Sequence, residues 1–97
     1  MTAPFTVRTS PGFDRLLRRL AHQYPEVPRL FAEALDVLEG DPYNRHRAHA
    51  IRKLSGVAPG AGGQYRLRMG RFRFRYDIEG REVVLLYCGL RREDTYG

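Results

Sequence analysis

The run Tyr-Arg-Leu-Arg-Met-Gly-Arg-Phe-Arg-Phe-Arg-Tyr-Asp-Ile, residues 65–78, places Arg66, Arg68, Arg73 and Arg75 at alternate positions on either side of Gly70. Guanidinium forks match the paired oxygens of a phosphate, so a row of them is equipped to hold a polyanion. Fixed cations beside a phosphodiester also stabilise the charge that develops when a ribose 2′-hydroxyl attacks in line, and preorganised electrostatics of this kind can carry most of a rate enhancement. RNA binding, and RNA cleavage that needs no metal, are therefore the chemistries this spacing allows. Unstacked bases lie on aromatic or guanidinium planes, and Arg91, Arg92 and Tyr96 supply such planes near the end of the chain.

An alternation of period two predicts strands with one buried and one open face. With Gly70-Arg71 as a two-residue turn, counting outward sets Met69 against Phe72, Leu67 against Phe74 and Tyr65 against Tyr76 on the core side. The same count puts Arg68 opposite Arg73 and Arg66 opposite Arg75, and like charges directly across a ladder cost roughly 0.2–1 kcal/mol each. Arginine stems can cover apolar surface on an ordinary solvated face. Such a face normally mixes lysine, glutamate and threonine, however, whereas this one carries only guanidinium until Asp77.

The 97 residues suffice for one modest core, and 42% hydrophobic content fits a globular chain. Seventeen Lys+Arg, sixteen of them arginine, stand against eleven Asp+Glu for a net charge of +6, a bias toward phosphate recognition that genomic base composition can also produce. The single Cys88 excludes an internal disulfide and reads as a buried structural thiol. No leader or membrane-length apolar stretch is seen, and a cytoplasmic location is expected.

Residues 5–8 alternate over a length suited to one edge strand. Ser10 and Pro11 then offer an N-cap and a first-turn proline, and Phe13, Leu16, Leu17, Leu20 and Tyr24 mark one helix face. Pro25 and Pro28 open a second helix with apolar positions Val27, Leu30, Phe31, Ala34, Leu35 and Leu38, stopped by Gly40 and Pro42. The short break between them predicts a helical hairpin capping the sheet. Residues 41–54 are basic without clear period; His46 and His49, with only distant His22 besides, do not make a metal site. Residues 55–64 read as a flexible loop. A turn at Glu79-Gly80 would set Val84 against Arg75, Leu86 against Arg73 and Cys88 against Arg71, leaving Val83, Leu85 and Tyr87 on the core side. A strand apolar on both faces is interior to its sheet, so the N-terminal strand is its expected second neighbour.

The order strand, helix, helix, Lys53-Leu54-Ser55-Gly56, basic hairpin, apolar strand and Gly-Leu-Arg-Arg-Glu-Asp-Thr-Tyr closely resembles the RelE/ParE toxin superfamily of bacterial toxin–antitoxin systems. The resemblance covers nearly the whole chain. It implies a single domain over residues 1–97 with an α+β fold: an N-terminal strand and a two-helix hairpin on a twisted, mainly antiparallel sheet of about four strands. RelE-type members are ribosome-dependent endoribonucleases that cut mRNA in the decoding site and leave a 2′,3′-cyclic phosphate. The family's basic second-strand positions fall on Arg66 and Arg68, its third-strand arginine on Arg73, the arginine after its last strand on Arg91, and its terminal tyrosine on Tyr96.

By those matches Arg66 and Arg73 would stabilise the transition state, Arg91 would protonate the leaving oxygen and Tyr96 would stack on or orient the substrate base. Lys53, Arg71, Arg75 and Arg92 would add RNA contacts. Implied partners are a cognate antitoxin, partly disordered alone and acidic where it meets this chain, the ribosome and mRNA; no cofactor, metal or membrane is implied. Relatives often carry lysine at the position of Arg68, which leaves the general base open. Many continue past the terminal tyrosine into a helix not seen here, so a smaller partner interface is expected. The alternative is the ParE type, which shares the fold and inhibits DNA gyrase without catalysis.

Overall fold

The computed structural model describes residues 3–90, in the order β1 (Thr6–Thr9), α1 (Pro11–Gln23), α2 (Val27–Gly40), β2 (Ile51–Lys53), β3 (Tyr65–Met69), β4 (Phe72–Glu79) and β5 (Glu82–Leu90). Five strands form one sheet in the order β1-β5-β4-β3-β2. β1 runs parallel to β5, and the other neighbouring pairs are antiparallel. The expected α+β class is found. The additional strand is β2, whose three residues are too few to show a period.

Ser10 turns β1 into α1: its hydroxyl accepts the Phe13 N–H at 3.0 Å, satisfying one of the helix's orphan donors, and Pro11 starts the first turn where no N–H is needed. Tyr24 to Glu26 separate α1 from α2, whose first turn holds Pro28 and whose last residue is Gly40. Pro25 lies before the second helix rather than inside it. Phe13 of α1, Phe31 of α2 and Phe74 of β4 meet with ring centroids 5.8–6.3 Å apart, so both helices press on the same sheet face. Around them Leu20, Val27, Ala34, Leu38, Leu67, Phe72, Tyr76, Val83, Leu85 and Cys88 complete the core. Burial pushes the Cys88 thiol up to about 12, which keeps it protonated and unreactive.

The first hairpin has the register counted from its turn: Met69 opposite Phe72, Arg68 opposite Arg73, Arg66 opposite Arg75 and Tyr65 opposite Tyr76. The second differs. Its turn is Gly80-Arg81, with Gly80 at φ +63° in the first central position and Glu79 opposite Glu82. A two-residue hairpin turn favours glycine at that place, which moves the turn by one residue and the pairing beside it by two, so that Val84 stands opposite Asp77 rather than Arg75. A β-bulge follows: Tyr76 pairs with Leu85 and Arg75 with Tyr87, leaving Leu86 as the extra residue. The bulge exchanges faces beyond it. Cys88 and Leu90 pair with Phe74 and Phe72 on the core side, while Val84, Tyr87 and Gly89 stand opposite Asp77, Arg75 and Arg73. Tyr87 is therefore not a core-side residue, nor Cys88 a neighbour of Arg71.

The segment between α2 and β2 is built by side chains rather than by periodicity. Asp41 accepts the N–H groups of Arg45 and His46 at 2.8 and 3.0 Å, and Asn44 exchanges two hydrogen bonds with the His49 backbone. The turns so made hold Asn44 and Arg47 at positive φ. Tyr76 reaches from β4 to donate its buried hydroxyl to the Pro42 carbonyl at 2.7 Å. Burial, with lesser help from Tyr65 and Asp41, raises that phenol well above its ordinary pKa and keeps it a donor. Tyr76→Phe leaves a buried acceptor unmet and should cost roughly 1–3 kcal/mol, read as a lower urea midpoint at unchanged slope.

Burial pushes the Asp41 carboxyl up, but the His46 and Arg45 N–H bonds and the nearby charges of His46 and His49 outweigh it and hold the pKa below the usual value. A group whose pKa is lower folded than unfolded stabilises the fold fully above its unfolded pKa, about 3.9 for aspartate, and loses that contribution as pH falls through the folded value. The gap in melting temperature between the native chain and Asp41→Asn should thus shrink as pH falls below about 4. A gap that widened in acid would contradict this.

Candidate nucleic-acid interface

The face of the sheet away from the helices carries the arginines. Arg52 of β2, Arg66 and Arg68 of β3 and Arg73 of β4, together with Ala50 and Ile51, line an open basin of about 420 Å³. The described residues that line it include four guanidinium groups and no carboxylate. Strand register explains the convergence: Arg52 is directly opposite Arg66, and Arg68 is directly opposite Arg73. Arg52 and Arg68 are exposed, Arg66 is half-buried and Arg73 is 7% exposed, so the basin has a seated cation at its base and reaching ones at its rim. Gly89, without a side chain, is the β5 residue beside Arg73.

Arg75 shares this face but is used differently. Its guanidinium donates to the Gly63 carbonyl at 2.8 Å, and the neighbouring Asp77, 3% exposed, accepts the N–H groups of Gly60 and Gln64 at 2.6 and 2.8 Å. Gln64 adds a bond to the Val57 carbonyl. Residues 55–64, read from sequence as flexible, are thus tethered to β4. An added Cβ at Gly63 would sit 2.6 Å from the Tyr76 nitrogen, showing how closely the loop rests on the strand. The loop is laid over the Arg75–Asp77 end of the face, and the basin occupies the other end.

Lys53 and Arg71 fall elsewhere. Lys53 pairs with Tyr65 and holds its ammonium 5.8 Å from that ring, on the side of the sheet that faces the helices. Arg71, in the β3–β4 turn, stacks 4.6 Å from the Tyr24 ring centroid and donates to Glu26 at 2.9 Å, tying the turn to the end of the helical break. Glu26's own backbone N–H, then Arg71, hold its carboxyl below the usual range. Arg91, Arg92 and Tyr96 lie outside the described residues.

Two residues of this face were not singled out by sequence. Arg52 sits in a strand too short to reveal alternation, and Tyr87 reaches the basic face only through the bulge, which composition does not announce. Among the described residues no group of three or more His, Cys, Asp or Glu is placed to hold a metal ion. No helix among them is long and apolar enough to cross a membrane.

No family model and no curated protein sequence matches the chain. Among solved structures it is similar to the toxin–antitoxin complex RelBE2 from Mycobacterium tuberculosis, at 29% sequence identity and a TM-score of 0.55, over 91% of this chain and 99% of the other.

Proposed function

We propose that this RelE-like chain is the toxin of a type II toxin–antitoxin system and that it inhibits translation as a ribosome-dependent mRNA endoribonuclease. The observation that carries the catalytic part is the basin: three arginines matching the family's basic positions, Arg66, Arg68 and Arg73, converge on one open surface with Arg52. A phosphodiester seated there meets charge from both sides of β3. As the 2′-hydroxyl attacks, negative charge grows on the non-bridging oxygens, and Arg66 and Arg73 are the groups to hold it. Arg73, largely shielded from water, acts where charge interactions are strongest. Arg68 orients the attacking hydroxyl at the rim. The family resemblance assigns the leaving-group proton to Arg91 and base stacking to Tyr96. Arg92 adds an RNA contact and Arg75 acts through the loop it holds, whereas Lys53 and Arg71, expected from sequence to join them, stand away from the basin.

The partner follows from the same electrostatics. Three like-charge pairs, Arg52–Arg66, Arg66–Arg75 and Arg68–Arg73, are stacked on one face. An acidic antitoxin segment that orders on this surface would relieve them and exclude RNA. Co-expression with the antitoxin should restore growth and give a stable complex.

Induced expression should arrest translation, with primer extension showing new 5′ ends inside coding regions that fade in Arg73→Ala. If purified protein instead stalls DNA supercoiling by gyrase while reporter mRNA stays intact on translating ribosomes, the nuclease reading is wrong and the ParE-like one holds.

A further inference from the structure

Arg52 is exposed, lies on the edge strand β2 and stands directly opposite Arg66. Charges on edge strands commonly serve to repel other strands. That purpose would be met better by glutamate here, because an opposite charge across the ladder gains roughly what a like charge loses, about 0.2–1 kcal/mol. The chain instead sets a third guanidinium in a row that already holds Arg66 and Arg75. The strand is also positioned with care. Asp41 and Asn44 shape the preceding turns, and the Arg68 N–H donates to the Ala50 carbonyl at 2.9 Å, extending the β2–β3 ladder one residue beyond Ile51.

The basin's four arginines form two directly opposed pairs, Arg68 with Arg73 and Arg52 with Arg66. The pairs share β3, where Arg66 and Arg68 are two residues apart, roughly 6.6 Å along a strand. With one inter-strand spacing of roughly 4.8 Å across the sheet, the centres of the two pairs stand about 8 Å apart, a gap that long arginine side chains can close to reach successive phosphates of a single strand. We propose that the basin holds two consecutive phosphates of a single-stranded RNA, the reacting one among Arg66, Arg68 and Arg73 and the next between Arg66 and Arg52, with Arg66 shared by the two, and that Arg52 is the residue that seats the second. The RNA then crosses the sheet obliquely from β4 toward the β2 edge, away from the tethered loop. Arg52 acts on binding and register, not on the reacting bond. The assignment rests on the ribonuclease reading for which linkage is cut, but not for the seat itself.

The test uses the full chain and a short, fully 2′-O-methylated RNA, which binds but cannot be cleaved. Anisotropy titrations over a salt series give log K against log[salt], whose slope shrinks by about 0.7 for every phosphate of a single strand that the protein ceases to neutralise. Arg52→Gln should lower the slope by that amount, and Arg52→Lys should keep it. A methylphosphonate walked along the RNA should weaken native binding at one linkage and add nothing further in Arg52→Gln, the non-additivity of groups that touch. In cleavage assays on programmed ribosomes Arg52→Gln should raise KM several-fold with kcat retained. An unchanged salt slope, or full additivity at every linkage, would make Arg52 an edge guard and overturn the proposal. A slope change without any cleavage by the native chain would sink the ribonuclease reading and keep the seat.

Discussion

Arg68→Lys should keep most single-turnover cleavage of mRNA on programmed ribosomes, whereas Arg68→Ala should lose on the order of a hundredfold, the size associated with removing one preorganised donor. Arg68 is exposed at the basin rim, directly across from the shielded Arg73. A general base must spend part of its time deprotonated, and a guanidinium stays charged throughout the physiological range. On the proposed reading its role is that of a fixed charge that lowers the 2′-hydroxyl pKa and orients the group, with proton removal left to water or to ribosomal RNA. Lysine supplies the same charge as a point, without the planar fork. Should the lysine variant be as inactive as alanine, bidentate geometry is the requirement; should alanine be harmless, Arg68 belongs to a solvated face and takes no part in the reaction.

Gly63→Ala should be among the most damaging single-atom additions to this chain. The new Cβ would lie 2.6 Å from the Tyr76 nitrogen, 2.8 Å from the Arg75 carbonyl carbon and 2.9 Å from the Arg75 Cβ, at a φ of +104° that side chains rarely adopt. Two of those neighbours are backbone in the central strand β4 and cannot rotate aside. Overpacking costs typically 1–3 kcal/mol and a residue in a sparse φ/ψ region another 1–3, so a loss of roughly 2–6 kcal/mol is expected against a total of about 5–15 for a domain. Gly60→Ala is the control, since its φ is +82° but nothing lies within 4 Å of the added atom. Urea denaturation should separate the two by about 1 kcal/mol or more. Equal midpoints would mean that the loop lifts from β4 at little cost.

What the sequence made legible follows from where its signals were redundant. The β3–β4 register was readable because Gly70 marks the turn and ten flanking residues alternate without interruption, so any slip would bury arginine. The helices were readable from face periodicity and from the Ser10-Pro11 start. The β4–β5 register was not, because β5 is apolar on both sides and offers no alternation to reveal Leu86 as an inserted residue. Arg66, Arg68 and Arg73 were found because like charges stack there against the interest of folding. Arg52 was overlooked, since three residues cannot display a period, and what fixes β2 is a pair of distant capping side chains, Asp41 and Asn44.

The parallel pairing of β1 with β5 also bears on how the molecule is made. Residues 6–9 must wait for residues 82–85, the last-synthesised strand among the described residues, before they find their partner. Val83, Leu85 and Cys88 of that same strand fill the centre of the core between α1 and β4. Pairings of such long sequence separation close late and slowly. A nascent chain still short of β5 has no neighbour for β1 and lacks the strand that α1 packs on, so the β2–β3–β4 strands that carry the arginines stand without that support. The strands that carry the basin thereby gain their full support only once β5 has been made.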